Sequence, residues 1–199
     1  MKDNLPQIPR IETWFPKSIY VADDIGVDLL NDLKIQIQNN DIQTKRSQTL
    51  NVDSTHLVNN LLHKTDVFCD LKNIIEYHAR LFLEYMGYNS EYVSKCVVVN
   101  MWYNISNKND FLFPHTHPGS LLAGAYYVES VEENNIIFYD DMTSSYEPPT
   151  TITNLSMTTC NYPCVPGRLL LFRSNLLHGT PKQINDGQKI VISFNINKL

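Results

Sequence analysis

The chain is short of the features that would set it apart from ordinary globular proteins. Four cysteines in 199 residues, Cys69, Cys96, Cys160 and Cys164, with no CxxC pair among them, are too few for a disulfide scaffold and lack the spacing of a structural zinc site. Free thiols are expected. Basic residues are outnumbered, 16 against 21 acidic, and a formal charge of −5 supplies no positive field to gather phosphate backbones, which argues against nucleic acid as a partner. No stretch approaches the roughly 18 uncharged apolar residues of a membrane span, and MKDNLPQIPRIETWFPKS lacks a signal peptide's apolar run. A soluble, cytoplasmic protein with no membrane partner is the expectation. Repeats, low-complexity tracts and Pro/Gly/Ser linkers are missing too, so 43% hydrophobic and 19% charged residues read as one domain over 1–199.

The first half, 1–94, reads as mainly helical. After Asp23 and Asp24, either of which suits an N-cap, Ile25, Leu29, Leu30, Leu33 and Ile37 recur every three or four residues and predict a first helix. From Thr65, the series Val67, Phe68, Leu71, Ile74, Ile75, His78, Leu81, Phe82 and Tyr85 predicts the longest helix, stopped at Gly87. The polar stretch Asn39 to Asn60 suggests a short helix beside a loop, and Ser18 to Val21 an edge strand.

From residue 95 onward β-branched and aromatic runs are cut by turn residues: CVVVNMWYNIS, SLLAGAYYVES, NIIFYD, GRLLLFR and KIVISFNI. With no helical pattern between them, these predict an α+β fold, an antiparallel sandwich or barrel over 95–199 with the helices packed outside one sheet.

His115 and His117, in FPHTHPGS, flank one residue, so an extended segment turns both rings to one side, and His178 follows the strand GRLLLFR at a polar turn. A close pair and a distant third, each at a strand end, suit an open three-ligand metal site. A lone histidine is more often packing than ligand, and His56, His63 and His78 are read that way. Lys189 opens the apolar strand IVISF eleven residues after His178, and Tyr127 shares a strand face with the small Ala123 and Ala125. Lysine at a strand start is commonly a solvent-facing edge residue. Together, however, this ammonium and this hydroxyl suit a carboxylate inside the barrel.

In order along the chain, WFPKSIY, VVVNMWYNIS, FPHTHPGSLLAGAYYVES, VPGRLLLFRSNLLHGTPKQ and KIVISFNI resemble the blocks of a bacterial and phage branch of the 2-oxoglutarate and Fe(II)-dependent dioxygenases. The resemblance runs from about Phe15 to Ile196 and is thinnest between Asn39 and Asn60. It implies a double-stranded β-helix, the jelly-roll core also seen in cupins. It implies Fe(II) as cofactor, 2-oxoglutarate as co-substrate, dioxygen, and ascorbate as a supporting reductant. By the same resemblance His115 and His178 match the first and distal iron ligands, Lys189 the basic residue that binds the far carboxylate of 2-oxoglutarate, and Tyr127 a tyrosine that assists it in prolyl hydroxylases. Ser174 matches a polar position ahead of the distal histidine.

The sequence departs from that pattern at one position: where most relatives carry a carboxylate two residues after the first histidine, His117 stands here. A three-imidazole site can hold Fe(II) with one negative charge fewer. His117 is the expected third ligand, and Asp140 or Asp141 the alternative. The implied activity is hydroxylation of a substrate coupled to oxidative decarboxylation of 2-oxoglutarate. Superfamily membership alone does not choose the substrate; a protein or peptide is preferred. Two rivals remain: a cupin-like metal protein needing neither Lys189 nor Tyr127, and a non-enzymatic jelly-roll interaction module needing no histidine, its surface the polar loop Asp140 to Asn161.

Overall fold

The computed structural model describes residues 16–39, 43–47, 51–132, 134–140, 150–153 and 156–199. In chain order these form β1 (Ile19–Ala22), α1 (Leu30–Gln38), β2 (Lys45–Ser47), β3 (Val52–Ser54), α2 (Asp66–Tyr85) and α3 (Ser90–Val93). There follow β4 (Cys96–Ser106), β5 (Leu112–His115), β6 (Leu122–Glu129), β7 (Asn135–Tyr139), β8 (Thr159–Pro163), β9 (Leu169–Arg173), β10 (His178–Thr180) and β11 (Lys189–Lys198). The strands pair antiparallel in two sheets, ordered β1-β9-β6-β11-β4-β3-β2 and β5-β10-β7-β8. Face to face, the sheets make the double-stranded β-helix of an α+β fold.

Side chains alternate across a strand, and here each phase has its own partner. On β11, Ile190, Ile192, Phe194 and Ile196 turn outward to meet Leu33, Phe68, Leu71, Ile75 and Phe82 of α1 and α2. The opposite phase, Lys189, Val191 and Ser193, lines a cavity between the sheets. β9 and β6 divide likewise: Leu169, Leu171 and Tyr126 join the helix layer, while Leu170, Phe172 and Tyr127 pack between the sheets with Ile136 and Phe138 of β7. Burial on both faces explains why these strands read as continuous apolar runs. The polar members of the inward phase are the exceptions that mark the cavity.

α2 is the predicted long helix, and it stops where expected. Gly87 adopts φ 90°, its amide bonds to the Glu84 carbonyl at 2.9 Å and the Tyr88 amide to the Leu83 carbonyl at 3.1 Å, the pair of bonds that closes a Schellman cap. Leu81 and Tyr85, counted by period on the buried face, are exposed. No described helix is long and apolar enough to cross a membrane.

Three expectations change. α1 begins at Leu30 after a 3-10 turn over Val27–Leu29, because Gly26 at φ 57° breaks the helix there; Asp23 binds Arg168 instead of capping. Between Asn39 and Asn60 the described residues form β2 and β3, not a helix, since Asp53 and Ser54 pair with Ile105 and Asn104 and extend the larger sheet. β5, β8, β10 and α3 are further elements without a periodic signal of their own. The edge strand near Ser18 is β1, paired with β9, whereas Trp14 and Phe15 of the WFPKSIY block lie outside the described residues, as does most of the loop after Asp140.

Candidate active site

β5 and β10 are short strands whose pairing sets His115 directly opposite His178. Gly179 permits the approach: a Cβ there would lie 2.7 Å from the Leu112 carbonyl oxygen. His117, just beyond β5, is held by its amide to the Ser174 carbonyl at 2.8 Å, while the Ser174 hydroxyl donates to the Ser120 carbonyl. Ser174 thus ties the two histidine-bearing turns together. One ring nitrogen from each of the three histidines lies within 4.8 Å of the others.

The other side of each ring is already committed. Nδ1 of His115 bonds to the Phe113 carbonyl and Nδ1 of His178 to the Leu176 carbonyl, both at 2.8 Å, and Nδ1 of His117 to Asn195 Oδ1 at 2.6 Å. With all three Nδ1–H groups donating to oxygen, the lone pairs stand on Nε2 and the tautomers suit a metal. Burial holds His115 below its ordinary pKa; burial and the neighbouring imidazoles hold His117 at about 4 and His178 at about 3. All three rings are neutral at physiological pH. The donor set therefore fits a divalent transition metal of the kind that imidazole favours.

Among the described residues no carboxylate joins the three rings. Asp140, the alternative ligand, is engaged by Lys17 at 2.5 Å; Asp141 lies outside the described residues.

From the histidines a narrow cavity of about 50 Å³ runs between the sheets to Lys189, past Trp102, Asn104, Tyr127, Thr180 and Ser193. Lys189 is 2% exposed, and its ammonium donates to Asn134 Oδ1 at 2.8 Å. Burial lowers its pKa, partly offset by Cys164 and Asp110. The Asp110 carboxylate is not free to neutralise it, being clasped by Arg46 at 2.9 and 2.5 Å and by the Asn107 amide at 2.8 Å. A buried cation held only by an amide oxygen is costly unless an anion joins it. Tyr127 is fully enclosed, and burial together with the neighbouring Cys164 thiol raises its pKa. A larger recess of about 330 Å³ lies across the Asn175–Leu177 turn, beside Lys17, Tyr139 and Arg173, and holds none of the three imidazoles.

Sequence reasoning missed Asn195 behind His117, Asn134 under Lys189, and Trp102, which stacks on His117 at 5.8 Å between ring centroids. For Asn195 and Trp102 the signal was present: each sits in the inward phase of a strand whose other phase is apolar. Asn134 lies in a turn and carried none. The remaining histidines pack: His56 on Trp102 at 4.5 Å, His78 bonded to the Tyr20 hydroxyl at 2.8 Å, and His63 buried beside α2.

Residues 100–195 match the family model described as "Putative 2OG-Fe(II) oxygenase". Over that segment, 96 of 199 residues, the chain is similar to the 2OG-Fe(II) oxygenases. No curated protein matches the chain. Among solved structures, a Pseudomonas putida prolyl-4-hydroxylase aligns with TM-score 0.65 and 9% identity over 92% of this chain and 94% of its own. The non-heme alpha ketoglutarate dependent epimerase SnoN from nogalamycin biosynthesis aligns with TM-score 0.64 and 12% identity, covering 92% and 79%. HygX from Streptomyces hygroscopicus, with nickel and 2-oxoglutarate bound, gives 0.63 and 12%, covering 92% and 83%. At such identities the likeness is one of fold. That family description names 2OG and Fe(II), and the three-imidazole group of this chain suits the second of them.

Proposed function

We propose that the protein is a 2-oxoglutarate-dependent hydroxylase in which His115, His117 and His178 hold Fe(II) through Nε2 while Lys189, assisted by Tyr127, holds the distal carboxylate of 2-oxoglutarate. One observation carries the reading: three neutral imidazoles and a buried ammonium, which has no carboxylate partner among the described residues, share a single cavity. A dicarboxylate with a keto group beside one end answers both. Bound there, iron and 2-oxoglutarate supply the oxidising power, one oxygen atom of dioxygen ending in succinate and the other in the hydroxylated substrate.

The chain's own residues bind, orient and exclude water. The carbonyls of Phe113 and Leu176 and the amide of Asn195 keep the rings aimed; Asn134 aims the Lys189 ammonium; Phe172 and Ile136 keep the cavity wall dry. No side-chain general base is required of such chemistry.

A protein or peptide is the preferred substrate, in line with a fold shared over 94% of a prolyl-4-hydroxylase. The cytoplasm is the proposed compartment, since the four cysteines are unpaired and suit a reducing environment. The test is succinate release with Fe(II), 2-oxoglutarate and ascorbate against a panel of peptides and metabolites. Iron-dependent succinate release is expected.

The cupin-like reading, metal without 2-oxoglutarate, draws on the all-imidazole donor set. Metal binding with no affinity for the keto acid would favour it, and absence of metal binding would favour the interaction module.

A further inference from the structure

Hydroxylation requires a second molecule held beside the metal, and the narrow cavity between the sheets is given to 2-oxoglutarate in the reading above. Across the turn 175–177 from that cavity lies the recess of about 330 Å³. Clefts that hold small ligands run from about 300 to 1,000 Å³. The recess and the imidazole group share a wall. Leu176 lines the recess while its carbonyl accepts from His178 Nδ1 at 2.8 Å, and the Leu177 carbonyl accepts from the Tyr139 amide at 2.9 Å. A molecule seated there is one turn of chain away from the three histidines.

Arg173, Asn175, Ser18 and Tyr139 also line the recess, and among the described residues none of these four side chains has a hydrogen-bond or ion-pair partner. An exposed arginine is ordinary by itself, because water satisfies it. Four unengaged polar side chains converging over the leucines of one turn are what a ligand site requires. Their chemistry selects the ligand. Arg173 can only donate, through a flat fork of N–H groups, and the amide of Asn175 and the two hydroxyls can donate as well. The carboxylate next to Tyr139, that of Asp140, is taken by Lys17 at 2.5 Å and does not neutralise the guanidinium. The recess therefore keeps a positive charge in a chain whose formal charge is −5. A guanidinium fork and a carboxylate match edge to edge through two parallel hydrogen bonds.

We propose that this recess seats the primary substrate and that Arg173, with Asn175, takes a carboxylate of it, carried by an acidic peptide side chain or by a free carboxylic acid. This rests on the hydroxylase reading above and narrows its substrate to an acidic one. Anchored by the carboxylate, the substrate lies against the apolar wall of Leu176 and Leu177, and its remainder passes the turn to the imidazole group.

The test is an anaerobic calorimetric titration of the full chain, loaded with Mn(II) and saturated with 2-oxoglutarate. The probes are a library of blocked pentapeptides carrying Glu or Gln at one position, with pentanoate and pentanamide as the free-acid pair. Acidic probes should bind about tenfold or more tighter than their amide twins, the worth of one hydrogen bond between charged groups. Arg173→Gln should erase that difference. Arg173→Lys should keep part of it, since a point charge remains without the fork. Asn175→Leu should reduce it, with Mn(II) and 2-oxoglutarate affinities unchanged in all three variants. Discrimination among the peptides assigns the carboxylate to a peptide substrate, and discrimination by the pentanoate pair alone assigns it to a free acid; either supports the site. Equal or absent binding of acidic and amide probes by the parent overturns it, as does an Arg173→Gln variant that still discriminates. A parent that binds Mn(II) but no 2-oxoglutarate would remove the hydroxylase reading itself, an outcome distinct from a parent that binds the keto acid and treats acidic and amide probes alike.

Discussion

His115 and His178 face each other across the β5–β10 ladder with ring centroids 4.5 Å apart. Backbone pairing sets these two rings together. Replacing either by Ala should reduce Mn(II) affinity by more than the about 10–100-fold that loss of an outer hydrogen-bonding partner costs. Calorimetry near pH 7.5 reads it directly, and unchanged affinity in both variants would remove the metal centre.

The third ring depends on Asn195, whose Oδ1 accepts from His117 Nδ1 at 2.6 Å. His117→Asp should retain metal, whereas His117→Ala should lose much of it. Asn195→Leu should weaken Mn(II) binding by about 10–100-fold while leaving His117 in place. If His117→Ala binds as tightly as the parent, the third ligand lies elsewhere.

Among the described residues, buried Lys189 has only Asn134 in hydrogen-bonding contact, and truncating one member of a buried charge pair costs about 3–5 kcal/mol. Lys189→Ala should therefore raise the 2-oxoglutarate dissociation constant by at least about a hundredfold, with metal affinity nearly constant. Tyr127→Phe should lose about 1 kcal/mol, the worth of one hydroxyl. An anaerobic titration separates the two effects, and an unperturbed Lys189→Ala titration would favour the cupin-like rival.

Gly179 leaves no room for a side chain, its would-be Cβ lying 2.7 Å from the Leu112 carbonyl oxygen and 3.1 Å from the Pro114 nitrogen. Gly179→Ala should push β5 away from β10 and carry His115 out of line. A lower melting temperature together with weaker Mn(II) binding is expected; normal metal affinity would show that the rings do not depend on this contact.

Burial holds both His63 and His78 below the ordinary histidine pKa, with Lys64 and Lys72 adding to the effect on His63 and Glu76 opposing it. The unfolded chain takes up these protons near pH 6.5 while the folded chain resists them, so their contribution is complete above that pH and declines as pH falls through the window below it. Urea midpoints should drop between pH 7.5 and 5.5. His63→Leu should flatten the slope, and an identical slope in the variant would clear His63 of any part in it.

The α+β division, the long helix ending at Gly87 and the strands β4, β6, β9 and β11 were legible because each repeats a period long enough to stand above chance. The spacing of His115 and His117 told that two rings share a side, and Lys189 taken together with Tyr127, though not by itself, pointed to a pocket inside the barrel. What no period reveals is contact made through the backbone. β2, β3, β5 and β10, three or four residues each, exist because a neighbouring strand offers an edge. The carbonyls of Phe113 and Leu176 aim two of the rings, yet every residue has a carbonyl, so nothing in those letters marks them. Lys189 meets Asn134 across 55 positions of chain, and Asn104 meets Ser193 across 89. Residue types and spacing determined which chemistry the chain can carry; the tertiary structure alone decided that these groups share one cavity, because that depends on strand register and on hydrogen bonds between segments far apart in sequence.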